Sequence, residues 1–519
     1  MANIGFDWGT TTTSVSFLTG QNTFDYLRFG GNNLNTFPSV IAYRNADASM
    51  KIGVAAQMVV FAPQFDVYSN LKLKLGATAM NNCGRNHSPY EATRDFIGKT
   101  IGEYVYVCKK PPQRIVFTIP DSWGKDVFRH PSLMFLEQII EDIGFDVDTQ
   151  ISFCSEPVAA AAYYCKEVCQ NNFSGFLLIV DMGGGTVDLT LCKIESGNKI
   201  LVIKRCGELG DKPVGCSGEA FDFEMTKKIS DNNNLNLVPN SPAFFKLKNA
   251  FEVSKISDAT VLDNLLREYY AASESDRKTF SKNKALEVMD SNFTTYPVTV
   301  GNIVNTFDEI NRDVLRKCVN EMLDCCHEEK IPTDNAKSFR VILTGGFSNL
   351  YCVEATVRET LGAPVCGKDP RFDSGINRES RSTAIAHGAA IIANEKVNVD
   401  ELFQKNVGFF CFNVFDNNQM KVTLLKSRSF VKNLREPIYC DLFLSGKNIL
   451  VDSSLTIFIE DGSDTKLFKV NLSQLCPMKN KYYAVGLSLG HRQTLFLHTL
   501  DEDDVQRKIP FDFRKDDSP

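Results

Sequence analysis

Residues 177–191 read LLIVDMGGGTVDLTL, an apolar strand that ends at Asp181, then a glycine-rich turn, then a second apolar strand. The same plan occurs near the start of the chain, where residues 4–18 read IGFDWGTTTTSVSFL and Asp7 closes the first strand. Apolar runs separated by turn residues predict strand–turn–strand units. Two such units far apart in one chain predict two similar lobes.

Both turns have the chemistry of a polyphosphate site. Glycine lets backbone N–H groups converge on an anion, and neighbouring hydroxyls add donors without adding charge. The turn residues are Gly9, Thr10, Thr11 and Thr12 in the first unit and Gly183, Gly184, Gly185 and Thr186 in the second. Magnesium keeps several waters and needs one or two carboxylates, which Asp7 and Asp181 supply at the strand ends. The paired turns therefore predict a site for polyphosphate and magnesium.

The remaining sequence predicts an α/β region followed by a β region. Strands are predicted at 114–120, 150–154 and 340–344, and helices at 125–143, 155–163, 241–257, 262–272, 302–328, 351–361 and 382–394. From residue 407 the helical period disappears, and strands are predicted at 449–460, 465–472, 482–489 and 494–500. These patterns predict one domain over 1–394, a linker over 395–406 and a β domain over 407–519.

Composition narrows the class of protein. Hydrophobic residues make up 43% of the 519 residues and charged residues 23%, which is typical of a globular protein of two or more domains. A net charge of −6 without a basic cluster argues against a nucleic-acid partner. The N-terminus lacks the features of a secretory signal, and no apolar run is long enough to span a bilayer, so a cytoplasmic protein without a membrane partner is expected. The sixteen scattered cysteines are typical of reduced thiols packed as small hydrophobes.

Four motifs resemble the DnaK-type heat-shock chaperones in order and spacing. They are DWGTT at 7–11, EPVAAAA at 156–162, DMGGGTVD at 181–188 and VILTGG at 341–346. The resemblance covers residues 1 to about 395 well and the remainder weakly, so the chain looks like a divergent member. It implies an actin-like two-lobed ATPase domain, a duplicated RNase-H-like fold that clamps MgATP. A small antiparallel β-sandwich-like domain that binds clients is expected to follow.

The resemblance implies that both turns contact the phosphates of ATP. It adds a third glycine-rich turn that contributes Gly218 and Glu219, in which Ser217 replaces a glycine. It also implies that Asp7, Asp181 and Glu156 hold magnesium through its waters.

Catalytic roles follow from the same resemblance. Asp181 and Thr186 are expected to orient the attacking water, with support from Asp188. The family's catalytic lysine precedes a glycine by four residues, a spacing that Lys72 and Gly76 match, while Lys74 is the alternative. Its role would be to place positive charge beside the γ-phosphate.

The adenosine site departs from the family pattern. Glu252 and Lys255 match the family's Glu and Lys three residues apart on a helix. Ile256 and Asn349 stand where the family has the arginines that sandwich adenine, and Ser382 replaces an aspartate. After Gly345 and Gly346, Phe347 either offers a ring to the nucleotide or fills the core. Weaker nucleotide affinity or looser base selectivity is therefore expected.

These residues predict a chaperone-like ATPase that slowly hydrolyses ATP and whose nucleotide state modulates binding of a protein or peptide client, with co-chaperones as further partners. A nucleotide-dependent scaffold with negligible hydrolysis is the alternative, and a small-molecule kinase on the same fold is a third class. The chain ends at Pro519 in strands and an acidic tail, so no helical lid is expected.

Overall fold

The computed structural model describes residues 3–29, 34–75, 87–123, 130–146, 148–170, 172–195, 198–210, 214–239, 241–290, 292–413, 418–445, 454–461, 464–472, 475–477, 480–490 and 495–510. The chain divides into two compact units. Unit 1 comprises Met1–Lys125, Pro131–Ile200 and Arg205–Asn398, and unit 2 comprises Asp126–His130, Leu201–Lys204 and Val399–Pro519.

The first lobe of unit 1 is built on a mixed sheet. Its elements are β1 Asn3–Trp8, β2 Thr12–Leu18, β3 Phe24–Tyr26, β4 Phe37–Pro38, β5 Ile41–Arg44, β6 Met50–Ile52, α1 Val54–Gln57, β7 Phe65–Tyr68, α2 Leu71–Lys74, α3 Pro89–Cys108, β8 Arg114–Ile119, α4 Pro131–Ile143, β9 Gln150–Ser155 and α5 Glu156–Tyr163. Strand β1 pairs antiparallel with β2 and parallel with β8, which pairs parallel with β9. Buried aromatic and aliphatic side chains, such as Phe6, Phe96 and Phe117, form the core beneath the helices.

The second lobe repeats this pairing. Its elements are β10 Gly175–Met182, β11 Val187–Glu195, β12 Lys199–Glu208, α6 Gly218–Asn232, α7 Pro242–Ser257, α8 Ala259–Ala271, α9 Glu274–Phe280, β13 Lys284–Met289, β14 Thr295–Thr299, α10 Val300–Phe307, α11 Asp313–Glu328, β15 Phe339–Thr344, α12 Tyr351–Thr360 and α13 Arg378–Arg381. Helix α14, Ala384–Ala393, follows in the chain and packs on β1 and α5 of the first lobe. Strand β10 pairs antiparallel with β11 and parallel with β15, as β1 does with β2 and β8. The predicted duplication into two α/β lobes is confirmed.

Small residues let helix α14 pack closely on its neighbours. A Cβ on Gly388 would lie 1.7 Å from the carbonyl oxygen of Ala159 in α5. A Cβ on Gly5 in β1 would lie 2.2 Å from the carbonyl oxygen of Ala386 and from the backbone nitrogen of Ala390. Since any side chain at these positions would collide with backbone atoms, the glycines set how near α14 lies to β1 and α5.

Unit 2 is an antiparallel β sandwich. Its strands are β17 Asn406–Asn413, β18 Asn418–Leu425, β19 Ile438–Ser445, β20 Ser454–Asp461, β21 Asp464–Asn471, β22 Tyr482–Leu489, β23 Leu495–Asp501 and β24 Gln506–Pro510. Strand β16, Asn398–Glu401, precedes them and pairs with β12. One sheet has the order β18-β17-β20-β21 and the other the order β19-β22-β23-β24. Phe409, Ile457, Val485 and Leu497 belong to the buried core between them. The predicted sandwich-like domain is confirmed.

Some predicted elements differ in detail. The helix predicted over 302–328 is interrupted by a π-helical turn, Asp308–Arg312, between α10 and α11. The predicted linker contains all of strand β16 and the first residue of β17, Asn406. Four predicted features lie wholly or partly outside the described residues. They are the start of the helix predicted over 125–143, the start of the strand predicted over 449–460, Gly76 and the acidic tail.

Candidate functional site

The two Gly/Thr turns face each other within unit 1. The first joins β1 to β2 and the second joins β10 to β11. A Cβ on Gly184 would lie 2.7 Å from Cγ2 of Thr11, and one on Gly185 would lie 2.5 Å from Oγ1 of Thr10. A side chain at either glycine would therefore occupy the space between the turns.

The third predicted turn, which precedes helix α6, is fixed to the second. The backbone N–H of Gly218 donates to the carbonyl of Gly183 at 3.1 Å, and that of Glu219 donates to the carbonyl of Gly184 at 2.6 Å. The Ser217 hydroxyl also donates to the carbonyl of Gly183, at 2.7 Å. These bonds occupy carbonyls of the second turn and hold it in place against the N-terminus of α6.

Four carboxylates collect beneath the turns. Asp7, Glu156, Asp181 and Asp188 are all buried. Asp7 and Asp181 are the penultimate residues of β1 and β10, Asp188 is the second residue of β11, and Glu156 opens α5. Because the strands of each lobe direct their ends to the same edge, side chains distant in sequence meet here.

Hydroxyl and amide donors orient these carboxylates. The Thr118 hydroxyl donates to Oδ1 of Asp7 at 2.8 Å, and the Thr344 hydroxyl donates to Oδ1 of Asp181 at 3.1 Å. The backbone N–H of Ser122 donates to Oδ1 of Asp188 at 3.1 Å. The donors come from neighbouring strands or the turn after β8, so the fold determines the orientation of each carboxylate.

One lysine from helix α2 reaches the carboxylates. Lys72 is buried, and its Nζ donates to Oε1 of Glu156. Although burial acts to lower the pKa of Lys72, Glu156 and Asp7 raise it overall. Lys74, on the same helix, is partly exposed and donates to the carbonyl of Ser69 at 2.7 Å. Of the two candidate lysines, Lys72 is therefore the one that the structure places in the site.

The carboxylates repel one another because a single ammonium group does not balance their charge. Burial, followed by the charge of Glu156, raises the pKa of Asp7 to about 7. Burial and the charges of Glu156, Asp188 and Asp7 raise the pKa of Asp181 well above its usual range. Burial and the charge of Glu156 also raise the pKa of Asp188 well above its usual range. The site therefore favours an added cation.

Magnesium fits this excess of negative charge. Within the described ranges, no three Asp, Glu, His or Cys side chains are arranged as a direct metal site. Asp7, Glu156 and Asp181 are the residues that would hold a hydrated ion, since magnesium is commonly bound through water. The space left by Gly184 and Gly185 suits phosphate oxygens beside it.

All residues predicted to bind the nucleotide or magnesium or to catalyse hydrolysis line one cavity of about 390 Å³ in unit 1, whereas Asp188, predicted to support them, is not among its lining residues. The predicted residues that line the cavity are Asp7, Gly9, Thr10, Thr11, Thr12, Lys72, Glu156, Asp181, Gly183, Gly184, Gly185, Thr186, Gly218, Glu219, Glu252, Lys255, Gly345, Gly346 and Phe347. Ile256, Asn349 and Ser382, which depart from the family pattern, line it too. The structure thus brings the predicted residues together, while their individual roles stay predictions.

Two residues predicted for the nucleotide site, Lys255 and Glu219, have partners that the sequence did not indicate. Lys255 pairs with Asp222, with Nζ 2.5 Å from Oδ1 and 2.7 Å from Oδ2. Glu219 accepts from Nζ of Lys248 at 2.9 Å and, from the first lobe, from Nδ2 of Asn70 at 2.7 Å. The last bond joins the two lobes through side chains.

The turn after β15 completes the cavity. Gly345 has φ +80°, and a Cβ there would lie 2.6 Å from Oδ1 of Asp181. Phe347 is 6% exposed and lies with its ring centroid 5.6 Å from Nζ of Lys255. Phe347 therefore lines the cavity and packs in the core, while contact between its ring and the nucleotide stays a prediction.

Sequence reasoning missed several lining residues. They include Thr36, Asp222, Asp263 and Arg381, together with Leu350 and apolar residues of α8 and α14. Asp222 follows Glu219 by three residues on α6, a spacing that places both on one helix face and could have indicated it. Nothing in the local sequence around Arg381 distinguishes it from a surface arginine.

Unit 1 has the actin-like ATPase fold, which is defined by its duplicated sheets, its facing turns and the carboxylates at its strand ends. The Hsp70 protein family model matches residues 150–407. The chaperone protein DnaK of Metamycoplasma hominis is 24% identical over 408 residues, which cover 76% of this chain and 59% of that protein. The DnaK of Mycoplasma mycoides subsp. mycoides is 24% identical over 400 residues, which cover 75% of this chain and 58% of the relative.

The DnaK of Mycoplasmoides gallisepticum is 24% identical over 368 residues, which cover 69% of this chain and 55% of that protein. The chain is thus a divergent relative of the DnaK-type Hsp70 proteins, and it spans less than two thirds of the length of these relatives. No helix in the described ranges is long and apolar enough to cross a membrane.

Proposed function

We propose that this chain binds MgATP in the cavity of unit 1 and slowly hydrolyses it to ADP and phosphate. The observation that supports this most strongly is that both Gly/Thr turns, their strand-end aspartates and Lys72 line the same cavity. Phosphoryl transfer needs positioning and charge stabilisation more than covalent chemistry, and these residues supply both.

The two turns would hold the β- and γ-phosphates through backbone N–H and threonine hydroxyl donors. Magnesium, when bound, would neutralise charge on the phosphate oxygens. Asp181 and Thr186 would orient a water toward the γ-phosphorus, and Lys72 would stabilise charge that develops on the phosphoryl oxygens. The water oxygen bonds to phosphorus while the bond to the bridging oxygen breaks, which gives ADP and inorganic phosphate.

A phosphate-release assay on the purified full chain tests the proposed activity. Release that requires both ATP and magnesium and falls sharply in Asp181→Asn is the expected result. Nucleotide binding without turnover would instead support a nucleotide-dependent scaffold. Turnover that appears only when a sugar is added would indicate a small-molecule kinase.

We further propose that the β sandwich of unit 2 binds an unfolded protein or peptide client, and that the bound nucleotide changes this affinity. The support is the relationship to chaperones and the presence of edge strands β18, β21, β19 and β24, because an edge strand can pair with an extended peptide. Co-chaperone partners and a cytoplasmic location belong to the same proposal.

Fluorescence anisotropy of a labelled unfolded peptide against the full chain, with ATP and with ADP, tests client binding. We expect weak binding that changes less than about tenfold between nucleotides, equal to ~1.4 kcal/mol of coupling. Absence of binding in both states would discard unit 2 as a client site.

A further inference from the structure

One wall of the cavity is apolar, which phosphate binding does not explain. It comprises Ile256, Ala259, Leu262, Leu266, Leu350 and Ile385, which we call the apolar wall. Leu262, Leu266 and Ile385 are 3%, 0% and 5% exposed. The buried members of the wall come from α8, from α14 and from Leu350 just before α12, so packed helices fix this part of it. Ile256, at the end of α7, is 66% exposed. A flat apolar group is the ligand that such a wall suits.

Arg381 lines the same cavity and lies against the turn that follows β15. Its Nη1 donates to the carbonyl of Ser348 at 2.7 Å and to Oδ1 of Asn349 at 3.4 Å. Its own carbonyl accepts from the backbone N–H of Gly345 at 3.2 Å. Its Nε is buried and has no hydrogen-bond partner among the residues that the structure describes. The guanidinium group is therefore held in place with donor capacity unused.

The neighbouring carboxylates are paired with other arginines. Asp263 accepts from Nε of Arg267 at 2.9 Å and lies 2.6 Å from Nη2 of Arg378. Glu354 accepts from Nε of Arg358 at 2.8 Å. Burial lowers the pKa of Arg381 below its ordinary value. A buried guanidinium group such as that of Arg381 is stabilised by stacking on an aromatic ring or by donating to an acceptor atom.

We propose that Arg381 contacts the nucleobase of the bound nucleotide, with its guanidinium on one face of the base and the apolar wall covering the other, and that this subsite accepts adenine and guanine alike. The inference rests on the proposed function. Among the described residues that line the cavity, Arg381 is the one arginine. Stacking and aliphatic contact involve the faces of a base, which both purines share, whereas discrimination requires hydrogen bonds to the base edges.

Calorimetric titration of the full chain with three magnesium complexes tests the proposal: ATP, GTP and inorganic tripolyphosphate, which lacks a base. For the wild type we expect ATP and GTP to differ by less than about fivefold and tripolyphosphate to bind at least about tenfold more weakly. Arg381→Ala should weaken ATP and GTP about equally, by roughly tenfold, and leave tripolyphosphate unchanged.

Arg381→Lys keeps a donor for the Ser348 carbonyl but removes the planar group, so it should also lose affinity for both nucleotides while remaining folded. Arg316→Ala, at an exposed arginine of α11, is the matched control and should behave as wild type. An unchanged ratio of ATP to tripolyphosphate affinity in both Arg381 variants would overturn the role of Arg381. A preference of about 100-fold for one purine in the wild type would overturn the shared subsite. Failure of the wild type to bind ATP and tripolyphosphate would overturn the proposed function itself, which is a distinct outcome.

Discussion

Nζ of Lys72 donates a hydrogen bond to Oε1 of Glu156, and both side chains are buried in the cavity of unit 1. The bond joins helix α2 to the first residue of helix α5. A bound γ-phosphate would compete with Glu156 for the ammonium group, because both are anions near one cation. The pair therefore connects nucleotide binding to the packing of the first lobe.

Lys72→Ala should lower the hydrolysis rate by about 100-fold and change ATP affinity by less than about tenfold, because the charge acts chiefly in the transition state. Lys74→Ala is the matched control from the same helix and should hydrolyse ATP normally. Single-turnover hydrolysis and ATP titration measure the two effects, and a thermal melt checks that each variant is folded. If Lys74→Ala were the slow variant, the assignment of Lys72 would be wrong.

Asp181→Asn should reduce hydrolysis by about 100-fold while retaining ADP binding, since the amide keeps the shape of the side chain but removes its charge. Asp231→Asn, at an exposed aspartate near the end of α6, should match the wild type. Phosphate release and ADP titration provide the comparison. Equal turnover in Asp181→Asn and wild type would show that the active site lies elsewhere.

Intrinsic fluorescence should report nucleotide binding, because Trp8 and Trp123 are the two tryptophans of the chain. Trp8 follows Asp7 directly, and the Trp123 ring centroid lies 5.8 Å from Nζ of Lys72. Phosphate near Lys72 changes the electrostatic field at the Trp123 ring, so MgADP should change its emission. Trp123→Phe should remove most of this change and Trp8→Phe should retain it. A full response in Trp123→Phe would contradict the prediction.

Gly388→Ala should destabilise unit 1 by at least about 3 kcal/mol, because the new Cβ would lie 1.7 Å from the Ala159 carbonyl oxygen. Gly102→Ala is the matched control, in helix α3, where a Cβ meets nothing within 4 Å. This control should stabilise the protein by roughly 0.5–1 kcal/mol through helix propensity. Urea unfolding measures both changes, and similar midpoints for the two variants would refute the close packing of α14 on α5.

His387 should make folding stability depend on pH. Burial lowers the pKa of His387 to about 4, and Tyr26, Tyr163 and Glu167 surround its ring. The folded pKa lies below the unfolded value of 6.5, so below pH 6.5 the unfolded chain binds more protons. Stability should therefore fall as pH decreases from 6.5 to 4, by up to about 3 kcal/mol.

His387→Phe should remove this part of the pH dependence, because phenylalanine fits an aromatic environment and does not titrate. The control His327→Gln replaces an exposed histidine near the end of α11 and should keep the pH dependence of the wild type. Urea unfolding at pH 7, 5.5 and 4.5 gives the comparison. Parallel stability curves for wild type and His387→Phe would contradict the assignment to His387.

Local sequence patterns predicted much of the fold. The apolar strands on both sides of Gly183–Thr186 pair as expected, and α7 and α8 cover the predicted helical stretches. The interruption of the helix predicted over 302–328 was not predictable from periodicity. In the π-helical turn, Asn311 is buried and its Nδ2 donates to the carbonyls of Cys216 and Ser217 at 2.8 and 3.3 Å. These two bonds span 95 and 94 residues of sequence, so the local pattern contains no sign of them.

The sequence by itself determined the chemistry of the site, because glycine turns, threonine hydroxyls and strand-end aspartates are local features with a known geometry. Only the tertiary structure decided which lysine faces the carboxylates, since Lys72 and Lys74 lie two residues apart on one short helix and the packing of that helix selects between them. It also decided that Arg381 and the apolar wall belong to the cavity. These residues come from separate helices, and what brings them together is burial of apolar surface between elements distant in sequence, which no local pattern encodes.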